Sequence, residues 1–129
     1  MPNPVHWHAY TYTGRSHSDA EIRRGTAPDT YPPVEIKDWL TRPARQIADT
    51  FTDVEAAVDW MKQQFTMNPP LGSDDYPLER RLAWIRARLA ESAGNDIVYG
   101  YYTKAGSYVA RALIACPRPD VGSCPKGLA

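Results

Sequence analysis

Proline limits what this chain can fold into more than any other residue type. Eight of the twelve prolines fall in four close pairs, Pro2 and Pro4, Pro32 and Pro33, Pro69 and Pro70, Pro117 and Pro119. Proline has no amide hydrogen and restricts the residue before it, so each pair interrupts regular structure and cuts the chain into short blocks. Any fold must be assembled from those blocks, and no linker between them is long enough to separate two domains. At 129 residues the chain reads as a single domain, 1–129, with an ordered core over about 5–116 and a Pro/Gly-rich tail over 117–129. A core of that size needs neither disulfide nor metal to fold, and no cofactor is called for.

The blocks have distinct periods. Val5 to Thr13 alternates and is rich in tyrosine, threonine and tryptophan, which predicts a β-strand ended by Gly14. One face carries His6, His8, Tyr10 and Tyr12, and the other Val5, Trp7, Ala9 and Thr11, the natural core side. Ser18 and Glu21 form a capping box for a short helix that Gly25 ends. Tyr31 to Leu40 suggests a short helix with Ile36, Trp39 and Leu40 as its apolar stripe, and Ala44 to Phe51 a second strand.

Two longer helices are predicted. Thr52 and Glu55 read as a capping box, after which Val54, Val58, Met61 and Phe65 share one stripe of a helix over Asp53 to Phe65. Pro77 opens another, Leu78 to Ser92, with Leu82, Ile85 and Leu89 on its apolar face and Gly94 and Asn95 as its stop. Asp96 to Cys116 is two apolar runs around Ala105 and Gly106, the pattern of a β-hairpin. With those two residues as the loop, Lys104 pairs with Ser107 and Gly100 with Arg111. The expected architecture is therefore α+β, an antiparallel sheet of three to four strands with two main helices packed on one face.

Charge narrows the partners. Basic and acidic residues number 15 each and stay mixed, which disfavours nucleic acid and leaves Arg80, Arg81, Arg86 and Arg88 as a solvated surface. No apolar run is long enough to span a membrane, and no signal peptide is evident. A cytoplasmic setting is expected, with Cys116 and Cys124 reduced. Arginine outnumbers lysine, as in GC-rich bacterial coding sequences.

The residues that carry chemistry allow three readings. The leading one is a non-enzymatic binding or protein-interaction module, self-associating or taking up an unknown protein or small molecule, with His6, His8, Tyr10, Tyr12, Tyr102 and Arg111 as its surface. A second joins His6-Trp7-His8 to Tyr101-Tyr102-Thr103-Lys104. That combination resembles the signature of the HUH endonucleases, and the resemblance, which covers seven residues, implies a metal held by His6 and His8, Tyr101 as nucleophile on a phosphodiester, and Lys104 beside it. A third is a zinc site of His6, His8, Cys116 and Cys124, or of His6 and His8 with His17 as a third ligand. Cys116 and Cys124 are separated by seven residues and lack the close Cys-x2-Cys pairing of a zinc knuckle. The sequence thus favours a strand-end thiol, an exposed tail thiol and a solvent-exposed His17, with no metal bound.

Overall fold

The computed structural model describes residues 5–72, 76–91, 95–116, 118 and 124–125. Its elements run β1 (His6–Gly14), α1 (Asp19–Arg23), two 3-10 helices (Ile36–Thr41 and Ala44–Gln46), β2 (Asp49–Phe51), α2 (Val54–Met67), α3 (Leu78–Glu91), β3 (Ile97–Tyr102) and β4 (Tyr108–Cys116). The four strands form one antiparallel sheet in the order β2-β1-β4-β3. The α+β architecture expected from the sequence is the one observed. No helix among the described residues is long and apolar enough to cross a membrane.

Local chemistry sets the helix ends. Ser18 caps α1, and the reciprocal Glu21 contact completes the predicted capping box. At α2 the cap is Asp53 rather than Thr52, because the Asp53 carboxylate accepts the Ala56 N–H at 3.0 Å. A carboxylate there also faces the positive end of the helix dipole. The helix runs to Met67, two residues beyond the predicted Phe65. At the end of α3, Asn95 Nδ2 donates to the Arg88 carbonyl at 2.8 Å, satisfying an acceptor left over in the last turn. The predicted terminus Ser92, and Gly94 after it, lie outside the described residues.

Both long helices cover the sheet face that carries Trp7 and Ala9. Ala57, Val58, Met61 and Phe65 of α2 and Leu82, Ile85 and Leu89 of α3 pack there against Trp7, Ile97, Val109 and Leu113. Each large side chain buried this way contributes about 1.5–3 kcal/mol. Trp60 is buried, whereas Trp84 lies half-exposed against Tyr99.

The hairpin pairs one residue out of the predicted register. Gly100 faces Ala110 and Tyr99 faces Arg111. The cause is the loop, which holds three residues, Lys104, Ala105 and Gly106, between Thr103 and Ser107. The Gly106 N–H donates to the Thr103 carbonyl, the Thr103 N–H donates to the Ser107 carbonyl, and Gly106 takes φ +85°. A type I turn closed by a left-handed glycine gives this register, and the shift exchanges the faces of β3 relative to β4. Tyr99 and Tyr101 therefore lie on the helix side.

The opposite sheet face is not an open tyrosine surface over β1 and β4. Residues from the segment between β1 and β2 cover it. Trp39 and Leu40 pack on Tyr10, Ala112 and Ile114, and Tyr31 packs on Tyr12 and Ala110. Trp39 comes from the predicted short helix, which is a 3-10 helix. The expected second strand over Ala44 to Phe51 is instead a 3-10 turn followed by three-residue β2. Strand β3 keeps Val98 and Tyr102 exposed on this face.

Candidate metal centre

The strand order turns a distant pair of sequence motifs into neighbours. In an antiparallel pair, directly opposite residues share a face, and the β1·β4 register sets His6 opposite Cys116 and His8 opposite Ile114. Two residues along β1, His8 points the same way as His6, and their rings meet edge to face with centroids 4.7 Å apart. On the other side of β1, Thr50 of β2 lies opposite His8. Its Oγ1 is 2.9 Å from His8 Nδ1.

The chain after β4 supplies the fourth donor. Asp96 Oδ1 accepts the Ala115 N–H at 2.7 Å, and its other oxygen pairs with Arg118 at 2.7 Å, fixing the chain just beyond the strand. Cys124 then meets the histidines, its Sγ 3.1 Å from His8 Nε2 and 3.6 Å from His6 Nε2. One donor atom from each of His6, His8, Cys116 and Cys124 lies within 4.8 Å of all the others.

That spacing is close to what a tetrahedral ion needs. Bonds of about 2.3 Å to sulfur and about 2.0–2.1 Å to nitrogen put the donors about 3.3–3.8 Å apart. The two His–Cys124 separations fall around that range, and closing the widest gap requires shifts of about 1 Å. His8 and Cys116 are fully buried, His6 nearly so, and Cys124 partly exposed. Water therefore cannot solvate most of the set.

Electrostatics agree. Burial, reinforced by the hydrogen bond and charge of Cys124, pushes the Cys116 thiol up to about 12. The buried Cys116 thiol resists ionising alone, and a bound divalent cation would invert that preference by holding it as a thiolate. Tyr10 packs in the same cluster as Cys116 and Cys124, and its phenol is also pushed upward, chiefly by burial. Its buried hydroxyl has no hydrogen-bond partner among the described residues.

The other predicted site residues are dispersed. Tyr12 stacks edge-on with Tyr31 and donates to the Arg15 carbonyl at 2.7 Å. Tyr102 is half-exposed at the far end of β3. Arg111 lies buried on the helix face, donating to Gln64 Oε1 at 2.8 Å and to the Tyr12 carbonyl at 2.9 Å. With His6, His8, Tyr10 and Tyr12 all buried within the chain itself, these residues do not form one interaction surface.

The HUH-like pairing is not assembled either. Tyr101 lies on the helix side, opposite the face of His6 and His8, and donates to the Asn68 carbonyl at 2.8 Å. Lys104 is in the hairpin loop. His17 is remote from the quartet and not solvent-exposed as expected: its side chain is 6% exposed, its Nδ1 lies 2.7 Å from Glu21 Oε2, and its ring meets Tyr31 edge-on.

Of the α3 arginines expected as a solvated surface, Arg80, Arg86 and Arg88 are exposed but Arg81 is not. Arg81 is buried against Tyr99, Arg86 pairs with Glu55 at 2.9 Å, and Arg88 donates to the Asp96 carbonyl. Sequence reasoning missed Thr50, whose only signal is its place in the β1·β2 register. It also treated Cys124 as an exposed tail thiol, whereas Cys124 is half-buried and its Sγ meets both histidines. No known protein family, curated protein or solved structure matches the chain.

Proposed function

We propose that this chain is a small non-enzymatic binding module that holds one Zn²⁺ through His6, His8, Cys116 and Cys124. The observation that carries the reading is the convergence of these four donors, from both ends of the chain, within 4.8 Å. Two thiolates and two imidazoles form the soft, tetrahedral set that zinc prefers. Four protein ligands leave no position for water, so the site is structural: it ties Cys124 to the sheet rather than performing hydrolysis. A cytosolic setting would keep both thiols reduced and able to bind the ion. Self-association through His6, His8, Tyr10 and Tyr12 is not the supported form, since these residues are covered by Trp39, Leu40, Tyr31 and Cys124.

Cobalt titration of the reduced, untagged chain tests the proposal, because Co²⁺ reports tetrahedral geometry and thiolate bonding in its visible and near-ultraviolet bands. The expected result is saturation at one equivalent with thiolate charge-transfer bands, displaced by zinc and lost in Cys116→Ala and Cys124→Ala. A spectrum that stays octahedral, or is unchanged in the cysteine variants, would overturn it.

A further inference from the structure

On the helix side of the sheet, away from the metal quartet, Tyr76, Arg81, Trp84 and Tyr99 line a surface depression of about 270 Å³. Arg81 sits at its base, 9% exposed. Its guanidinium lies 4.9 Å from the Tyr76 ring centroid and 5.8 Å from that of Tyr99. Nε donates to the Tyr76 carbonyl and Nη1 to the Tyr99 hydroxyl. No carboxylate pairs with Arg81 among the described residues, although a buried cation ordinarily has such a partner. Arg80 adds a second guanidinium 5.9 Å from the Tyr76 ring, also without an ion pair among the described residues.

The chemistry points to an anion carried on a ring. Two neutral acceptors and two aromatic rings offset only part of the cost of burying the Arg81 charge, and a charge-assisted bond to an anion would supply the rest. Nε and one N–H of Nη1 are already engaged, which leaves the second Nη1 hydrogen and both Nη2 hydrogens for an anion. A carboxylate can pair with those donors, and any preference over phosphate comes from the ring surface beside them. Trp84 is 48% exposed and meets Tyr99 edge-on, leaving apolar indole surface beside the cation. At about 270 Å³ the depression is smaller than the roughly 300–1,000 Å³ of pockets for drug-sized ligands, so it suits one ring.

We infer that this depression is a binding site for a small planar aromatic carboxylate, with Arg81 receiving the carboxylate and Trp84 packing on the ring. The site is independent of the zinc reading. Its test is a titration of the isotope-labelled full chain with benzoate, benzamide, acetate and inorganic phosphate, followed at the Trp84 indole N–H by NMR.

Benzoate is expected to move that resonance saturably and to bind at least tenfold more tightly than benzamide, acetate or phosphate. Arg81→Gln removes the preference of benzoate over benzamide, and Trp84→Ala weakens both. Equal binding of benzoate and benzamide would refute the role of the charge, and equal binding of phosphate the role of the ring. A Trp84 resonance unmoved by benzoate would refute the site. The comparison of ligands on the unmodified chain decides the matter even if Arg81→Gln does not fold.

Discussion

Thr50→Val tests the proposed metal centre at a residue that would not itself touch the metal. Thr50 Oγ1 lies 2.9 Å from His8 Nδ1, while His8 Nε2 faces Cys124 Sγ at 3.1 Å. When Nε2 binds zinc, the ring proton must reside on Nδ1, and Thr50 is the acceptor that holds it there. Valine keeps the shape but offers no acceptor, so the metal-bound state loses the Thr50 acceptor for its buried N–H. The metal-free state can move the proton to Nε2, and so escapes part of the penalty.

The loss therefore falls mainly on metal affinity. Removing such an outer partner typically weakens binding 10–100-fold, about 1.4–2.7 kcal/mol. Competition with a chromophoric chelator, on the reduced full chain, measures it. Thr50→Ser keeps the acceptor and is expected to retain near-native affinity. A Thr50→Val affinity within twofold of the parent would refute the reasoning, because His8 would then be oriented by something else or would not be a ligand.

Three further outcomes follow from the fold. Trp39→Ala, which empties a fully buried position over Tyr10, is expected to cost about 3–5 kcal/mol in chemical denaturation; a loss below about 1 kcal/mol would show that the covering segment contributes little. Gly106→Ala places a side chain at φ +85° and is expected to destabilise by about 1 kcal/mol, whereas an unchanged midpoint would contradict the three-residue loop. Glu21 is held down to about 2 from its ordinary 4.5, first by its hydrogen bond to His17 and then by the Ser18 backbone and Arg15. Because its folded pKa is depressed, its contribution is present above pH 4.5 and lost as pH falls from there towards 2. Acid unfolding of Glu21→Gln should be flatter than that of the parent across this window, and superimposable curves would deny the coupling.

What the sequence revealed followed period and range. Strand β1 alternates, and α2 and α3 carry apolar stripes at helical spacing, so local patterning sufficed to identify them. The β3–β4 register slipped because Lys104 belongs to the loop, a distinction of one residue that apolar patterning does not encode. The cover over Tyr10 and Tyr12 was hidden because the apolar stripe of the short helix does not say which sheet face Trp39 and Leu40 pack on, and Tyr31 precedes that helix.

The proposed metal centre was legible as residue types but not as a place. Its histidines and Cys116 meet only because β1 lies beside β4 across the chain, and Cys124 arrives from a tail whose spacing to Cys116 matches no local zinc motif. Thr50 gave no sign at all, since a threonine becomes a metal-site residue only through its strand partner.

The central claim is that four protein donors bind one zinc. Metal analysis of untagged chain purified under reducing conditions and then equilibrated with zinc and desalted tests it most directly. One zinc per parent chain is expected, and none in the Cys116→Ala, Cys124→Ala double variant. A parent chain that retains no zinc, or a double variant that retains as much as the parent, would contradict the account.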